Sequence, residues 1–194
     1  MTRTRRALTL TLVLLTTAAG VSACSEAETP VAPQATPKYV GTAAEGDHND
    51  ADVEFATQIF PYHIQANVLA GIGQARGESQ QVKDFAASLG EAQAEATAKL
   101  GGWLTGWEQA VPTDGAGAPL NAEDVSKLTA IDPATFDVAW LSLVIQHQQA
   151  SIKAIDAYEE AGQNVQVEEY AATLEEEQRA DLSAAKELLK ELKG

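Results

Sequence analysis

The feature of this sequence that most restricts its fold is an internal repeat. A shift of 137 − 52 = 85 residues aligns about 55 residues with a later stretch of the chain without a gap. Where identity is lost, apolar or aromatic character remains. Two copies of one unit, residues 52–107 and 137–192, therefore account for most of the domain. The aligned identities include Asp52 with Asp137, Gly77 with Gly162, and Leu104 with Leu189.

Each copy predicts a hairpin of two helices. In the first copy, apolar and small side chains recur every three or four positions over residues 56–70 and again over 82–107, with Gly77 between the two runs. Asp50 or Asp52 can cap the first helix. The second copy repeats the pattern, and no strand-like alternation occurs. The sequence predicts an all-α fold, an antiparallel four-helix bundle made of two tandem helical hairpins.

Two of the three histidines lie within the apolar stripes of this bundle. His63 lies 77 − 63 = 14 residues before Gly77 and Gln93 lies 93 − 77 = 16 residues after it, so antiparallel helices place both at one height. The repeat puts the matching residues of the second copy at the same level. Buried imidazole and amide groups are costly unless they are bonded to each other, to water or to an ion. We therefore expect one polar core layer of Tyr62, His63, Gln93, His147, Gln148 and Gln178.

Both histidine-bearing segments resemble the Met-x-x-His-His signature that occurs twice in the domain-of-unknown-function 305 family. That family includes CopM-like copper-binding proteins of bacterial envelopes. The resemblance covers about residues 52–192, with a Gln-x-x-acid element at 178–181 and a Trp-Leu pair at 103–104. It implies a ferritin-like bundle in which methionine and histidine side chains would bind copper.

The sequence departs from this signature at the ligand positions. Ile59 and Val144 occupy the methionine positions, while Tyr62 and Gln148 each replace one histidine of a pair. Met1 is the only methionine, and it lies in the signal segment. A Cu(I) site built on thioether ligands is therefore not available in the mature chain.

Three interpretations of the polar layer remain open. His63 and His147, with a carboxylate, would suit copper as Cu(II) or zinc as Zn(II), and such an ion is the only cofactor the sequence suggests. Alternatively, the layer is a hydrogen-bonded structure that fixes helix register, or it lines a small-ligand pocket. The acidic candidates near this level fall mostly at the margins of the core stripe: Glu91, Glu95, Glu175 and Asp181.

The sequence shows no motif that indicates catalysis. We recognise no nucleophile paired with a base, no complete set of metal ligands and no nucleotide-binding loop, so we expect no enzyme activity. The function is predicted to be metal binding, as in copper homeostasis, or that of a scaffold module in which the metal site has decayed.

The N-terminal segment has the pattern of a bacterial lipoprotein. Residues 1–23 combine a short cationic start, an apolar run and small residues, which is typical of a cleaved signal. The stretch Val-Ser-Ala-Cys resembles a lipobox, in which Cys24 receives the lipid; an ordinary secretory signal with a free thiol is the alternative. Residues 24–50 contain three prolines and predict a flexible tether. We therefore expect residues 51–194 to fold on the extracytoplasmic face of the cell membrane.

The charge of the chain restricts its partners. The full chain has 13 basic and 28 acidic residues, and removing residues 1–23 removes three arginines, which leaves 13 − 3 = 10 basic residues and a formal charge of 10 − 28 = −18. Nucleic acids and anionic lipid headgroups need a basic surface. We expect no nucleic-acid partner and membrane attachment through the N-terminal lipid, and the sequence points to no particular protein partner.

Overall fold

The computed structural model describes residue 42 and residues 44–159 and 161–194. The described residues form six α-helices and one 3-10 turn, and none of them forms a strand. The predicted all-α bundle of two tandem hairpins is confirmed. The elements are α1 (Asp50–Arg76), α2 (Gln80–Glu91), α3 (Gln93–Gly106), α4 (Ala122–Lys127), the 3-10 turn (Leu128–Ala130), α5 (Pro133–Glu159) and α6 (Val165–Lys193).

The helices pack as two hairpins joined through their first arms. α1 packs against α2, α3 and α5, and α5 packs against α6. The α2–α3 arm has little contact with α6, which leaves a groove between these two outer arms. The short α4 and the 3-10 turn connect the hairpins. Arg76 holds this connection to the end of α1, because its guanidinium donates hydrogen bonds to the backbone carbonyls of Leu128 and Ile131.

Asp52 closes one end of the bundle. Its carboxylate is fully buried and accepts hydrogen bonds from the Tyr158 hydroxyl (2.6 Å) and from the backbone N–H groups of Gln163 and Asn164 (3.2 Å each). It also accepts from the N–H of Asn49 at 2.8 Å. The N-cap of α1 is Asn49, and not Asp50 or Asp52 as the sequence predicts. Asp52 instead forms a capping box with Asn49.

Asp137, which is the repeat equivalent of Asp52, closes the other end. Its carboxylate accepts hydrogen bonds from the backbone N–H groups of Glu78 and Ser79, both at 2.9 Å, in the turn between α1 and α2. Each aspartate therefore satisfies backbone donors at a helix start in the other hairpin. The sequence repeat is thus expressed as a reciprocal contact between the two copies.

The second arm is interrupted where the sequence predicts one continuous helix. α2 ends at Glu91 and α3 begins at Gln93. The side-chain Nε2 of Gln93 donates to the carbonyl of Leu89 at 2.7 Å, and this carbonyl is the one that the backbone N–H of Gln93 would use in an unbroken helix. The side chain of Gln93 therefore replaces its own backbone in the helix ladder and causes the break.

The hydrophobic core forms two clusters, one towards each end of the bundle. One contains Phe55, Trp103 and Tyr158, and the other contains Phe136 and Trp140. The polar layer lies at the level between them. Because hydrogen bonds are directional, those of the polar layer fix the height at which the helices meet.

A glycine makes room for the largest buried side chain. A Cβ at residue 73 would lie 2.6 Å from two ring carbons of Trp140, so only Gly73 allows this contact. The indole Nε1 of Trp140 donates to the carbonyl of Leu69 at 2.8 Å. Trp140 therefore joins α5 to α1 both by packing and by a hydrogen bond.

Residues just before α1 also contact the bundle. Ala44 is buried in the core, and the side chain of Asn164 donates to the carbonyls of Glu45 and Asp47 at 3.0 Å each. His48 is exposed and stacks on Trp107, with ring centroids 4.8 Å apart. Contacts with the domain thus begin before residue 51, where the sequence places its start. The predicted signal peptide, Cys24 and most of the predicted tether lie outside the described residues.

None of the helices in the described ranges combines the length and apolarity needed to cross a bilayer.

Asp52 provides a test of the reciprocal contact. Burial raises the pKa of its carboxyl, but the hydrogen bonds from Tyr158 and from three backbone N–H groups outweigh this, and the pKa is lowered from its usual 3.8. We expect Asp52→Asn to lower the free energy of unfolding at pH 7 by about 1–3 kcal/mol, measured by urea unfolding. Because the folded pKa is depressed, the wild-type advantage should be present above pH 3.8 and be lost as the pH falls through the folded pKa.

The control for this test is Asp50→Asn, because Asp50 is exposed in the same first helical turn. This variant should change the free energy of unfolding by no more than about 0.5 kcal/mol. Equal losses in the two variants would show that Asp52 acts only as a first-turn charge.

Candidate functional site

The polar layer lies inside the bundle at the level predicted from the repeat. Helices α1, α3, α5 and α6 each contribute to it. The side chains of the layer are buried between the two hydrophobic clusters, and they separate into two hydrogen-bonded networks, one around each histidine. The structure brings together His63, Gln93, His147, Gln148 and Gln178.

His63 is hydrogen-bonded at both ring nitrogens. Its Nδ1 lies 2.8 Å from Oε1 of Gln93, and its Nε2 lies 2.8 Å from the hydroxyl of Tyr170. The bond from Gln93 Nε2 to the Leu89 carbonyl turns Oε1 of Gln93 towards the ring, so Nδ1–H must donate to it. Nε2 then accepts from the Tyr170 hydroxyl. A neutral imidazole therefore satisfies both contacts.

Burial keeps this network neutral. It lowers the pKa of His63 to about 4, with a contribution from nearby His147, although the bond to Gln93 acts in the opposite direction. Burial, together with the charge of Glu177, raises the pKa of the Tyr170 hydroxyl, which therefore remains a donor. His63 and Tyr170 thus connect α1 to α6 without a buried charge.

His147 belongs to the second network. Its Nε2 lies 3.1 Å from the backbone carbonyl of Tyr62, and its Nδ1 lies 3.3 Å from Oε1 of Gln148. Nε2 of Gln148 donates to Oδ2 of Asp181 at 3.1 Å. Burial lowers the pKa of His147, whereas burial and the charge of Glu177 raise the pKa of Asp181 to about 6. This network connects α5 to α1 and α6.

Tyr62 and Gln178 differ from the other predicted members of the layer. Tyr62 contributes its backbone carbonyl, while its ring packs in a hydrophobic cluster, 6.1 Å from the ring of His147 and inclined to it by 61°. Gln178 is buried in the layer, but its Oε1 has no hydrogen-bond partner among the described residues. The predicted layer thus uses a main-chain group of Tyr62 where the sequence suggested a side chain.

A groove adjoins the layer between the α2–α3 arm and α6, with a volume of about 980 Å³. Its lining is mixed in character, and it gives solvent a path to one edge of the layer. A small-ligand pocket, the third interpretation of the layer, would have to lie here. The residues where the groove meets the layer are His63, Gln93, Tyr170, Gln178 and Asp181.

The donor groups of the layer do not suit a metal ion. A histidine ligand needs a ring lone pair that faces the metal, usually with its second nitrogen donating to a protein group. In His63 the only lone pair accepts from Tyr170, and Asp181 is bonded to Gln148. Across the residues that the structure describes, no group of three or more His, Cys, Asp or Glu side chains could hold an ion. The copper or zinc site predicted on His63 and His147 therefore has no supporting ligand set.

The sequence reasoning missed the part that Tyr170 plays. The repeat aligns Tyr170 with Phe85, so the sequence pattern predicts an aromatic core position at both. The hydroxyl that Tyr170 has and Phe85 lacks could have indicated this role, because a buried tyrosine hydroxyl usually has a hydrogen-bond partner. Here that partner is His63.

The fold and the site together define a bundle of duplicated helical hairpins with a polar layer at its centre. The chain belongs to the family described as Domain of unknown function (DUF305), because the sequence model of that family matches residues 52–189. This membership confirms the resemblance seen in the two histidine-bearing segments. No match was found among curated proteins.

Two solved structures of the family share the fold. The crystal structure of a DUF305 fragment from Deinococcus radiodurans is similar with a TM-score of 0.67 and 20% identity, over 75% of this chain and 99% of that one. A DUF305 protein from Streptomyces coelicolor, described as secreted, is similar with a TM-score of 0.67 and 23% identity, over 74% of this chain and 93% of that one.

The His63 network predicts how stability depends on pH. Because the pKa of His63 falls from 6.5 to about 4 on folding, the unfolded chain binds the extra proton in this range. The wild type should lose up to about 3 kcal/mol from this group as the pH falls from 6.5 to 4, measured by urea unfolding. His63→Gln should lose this part of the slope.

His48→Gln serves as the matched control, since the ring of His48 is exposed. Comparing each variant with the wild type cancels the titration of all other groups. If His63→Gln and His48→Gln keep the same pH slope as the wild type, His63 is not held neutral by its burial.

Proposed function

We propose that this protein is a lipid-anchored, non-catalytic scaffold module on the outer face of the cell membrane, in which the polar layer sets helix register. The observation that carries this proposal is the engagement of both ring nitrogens of His63 in a neutral hydrogen-bonded network. A metal ion at this ring would have to displace the Tyr170 hydroxyl. The layer thus has a structural role that needs no bound ion.

The register role follows from which helices the layer joins. His63 links α1 to α3 and α6 through Gln93 and Tyr170, and His147 links α5 to the backbone of α1. A shift of one helical turn moves side chains by about 5.4 Å, which breaks every bond in the layer. Apolar clusters can repack after such a shift at lower cost, so hydrogen bonds make one register unique.

A metal titration tests this proposal against the metal-binding alternative. Cu(II), Cu(I) and Zn(II) are titrated into the mature protein and into its His63→Ala and His147→Ala variants. We expect no tight site that depends on both histidines. Each variant should instead lose about 1–3 kcal/mol of unfolding free energy, because a buried partner is left unbonded. Submicromolar binding that disappears in both single variants would contradict the scaffold function and favour the metal-binding one.

Attachment to the membrane is the second part of the proposal. It is supported by the lipobox-like sequence that ends at Cys24 and by the single cysteine of the chain, since a free thiol is unfavourable in an oxidising compartment. A diacylglyceryl group with a further acyl chain supplies enough apolar surface for stable anchoring. The acidic domain itself would be repelled by anionic headgroups.

Fractionation of a bacterial host that expresses the full chain tests the anchor. The wild type should sediment with membranes and be extracted by detergent, and it should incorporate a labelled fatty acid. Cys24→Ala should lose the label, whereas Thr29→Ala, in the predicted tether, should keep it. Equal labelling of Cys24→Ala and the wild type would exclude Cys24 as the lipidation site.

A further inference from the structure

We propose that His147, Gln148 and Asp181 form a proton-binding site, in which the three side chains hold one proton in common and the complete set of hydrogen bonds in the second network depends on it. The inference rests on the number of hydrogen atoms that this network needs. It goes beyond the proposed function, because it assigns a protonation state to one part of the layer.

Three contacts run in a line through this network. They join the Tyr62 carbonyl to His147 Nε2, His147 Nδ1 to Gln148 Oε1, and Gln148 Nε2 to Asp181 Oδ2. Each contact requires one hydrogen atom between its two heavy atoms. A neutral imidazole supplies one, and the amide of Gln148 supplies one. With an ionised Asp181 the line has two hydrogens for three contacts, so it is one proton short.

One added proton satisfies all three contacts in either of two ways. If it rests on His147, the ring donates to both the Tyr62 carbonyl and Gln148 Oε1. If it rests on Asp181, the amide of Gln148 turns over, so that its NH₂ donates to Nδ1 and its oxygen accepts from the carboxylic acid. The two forms contain the same atoms and differ only in the position of hydrogen atoms and in the orientation of the Gln148 amide. The pair therefore titrates as a unit.

Without the proton, two lone pairs face each other somewhere in the line. If neutral His147 carries its hydrogen on Nε2, the Nδ1 lone pair opposes Gln148 Oε1. If it carries the hydrogen on Nδ1, the Nε2 lone pair opposes the Tyr62 carbonyl at 3.1 Å. Turning the amide over only moves the conflict to Asp181. Loss of the proton thus removes one hydrogen bond whichever tautomer forms.

The other copy of the repeat provides an internal comparison. Around His63 there are two contacts, and the neutral ring and the Tyr170 hydroxyl supply the two hydrogens that they need. The repeat aligns Asp181 with Ala96, because 181 − 85 = 96, so the first copy has no carboxyl at this position. The need for an additional proton is therefore confined to the second copy.

The surroundings favour the form with the proton on Asp181. His147 and Gln148 are each only 3% exposed, and burial lowers the pKa of His147, which disfavours a charged ring. Burial and the charge of Glu177 raise the pKa of Asp181 to about 6. Asp181 is partly exposed at the groove, so the proton can exchange with solvent there.

Titratable groups approach this site from every neighbouring arm. Those on α6 and across the groove are mostly acidic, which favours uptake of a proton, while the histidine on α1 is held neutral. Arg179 on α6 is already paired with carboxylates of α5 and α6. The groups are Tyr62 and His63 on α1, Glu91, Glu95 and Lys99 on the α2–α3 arm, and Glu177 on α6.

Nuclear magnetic resonance of the mature protein tests the shared proton directly. The side-chain carboxyl carbon of Asp181 and the ring nitrogens of His147 are followed between pH 4 and pH 8. We expect both residues to change with one common midpoint, more than one pH unit above the usual Asp value of 3.8. Independent midpoints, or an Asp181 that is fully ionised at pH 5, would overturn the proposal.

An Asp181→Asn variant mimics the protonated site. Its amide can donate to Gln148 while Gln148 donates to neutral His147, so three contacts are made without the added proton. In the wild type, the stability from protonated Asp181 is present below its unfolded pKa of 3.8 and is lost as the pH rises through about 6. We therefore expect the variant to have a folding constant roughly two- to tenfold higher than the wild type at pH 8, the effect of one hydrogen bond.

This advantage should shrink as the pH falls below about 6.5, because unfolded His147 is then protonated in both proteins and only the folded wild type takes up a compensating proton. The matched control is Glu169→Gln, which makes the same charge change on the groove side of α6. It should show neither the gain at pH 8 nor the pH dependence. An Asp181→Asn variant that is less stable than the wild type at pH 8, or that behaves as Glu169→Gln does, would refute the shared proton.

Neither experiment involves a metal ion. Submicromolar metal binding that depends on both histidines would therefore remove the scaffold proposal and leave the proton count of the metal-free protein intact. Failure of the shared proton would leave the scaffold proposal intact.

Discussion

The bundle depends on hydrogen bonds that each copy of the repeat supplies to the other. Asp52 binds the turn of the second hairpin, and Asp137 binds the turn of the first. At mid-height, His63 of the first copy is bonded to Tyr170 of the second, and His147 donates to the Tyr62 carbonyl. A buried polar group without a partner costs about 1–3 kcal/mol. Each hairpin leaves some of its own buried groups without a partner, so the two must fold against each other.

Duplication supplied two equivalent half-layers, and substitution has made them chemically different. The first contains an imidazole with exactly matched neutral partners, and the second contains an imidazole connected through an amide to a carboxyl. The difference begins at the histidine pair itself, because the repeat aligns Tyr62 with His147 and His63 with Gln148. It also includes Tyr170 in place of a phenylalanine and Asp181 in place of an alanine, both on α6, so this helix contributes to both networks.

The sequence was sufficient to predict the level of the layer, but not its bonds. The distances of His63 and Gln93 from Gly77 determine height, because helical rise is constant. The spacing of apolar residues does not show that the side chain of Gln93 competes with its own backbone N–H for the Leu89 carbonyl. The break between α2 and α3 was therefore not predictable from the sequence. The use of the Tyr62 carbonyl depends on the packing of α1 against α5, which brings this oxygen to 3.1 Å from His147 Nε2. The first is a competition within one helix and the second is a tertiary contact, and apolar periodicity encodes neither.

The two networks should depend on pH to different extents over the same range. Protonation is unfavourable for folded His63, so acid weakens the first network below pH 6.5. Protonation completes the second network, so loss of the proton weakens it as the pH rises through about 6. Below pH 6.5 the unfolded chain also protonates His147, so proton uptake by folded Asp181 mainly offsets that loss, and the second network should depend on pH less than the first. The second network should therefore hold α1, α5 and α6 in register at pH values at which the His63 network has weakened.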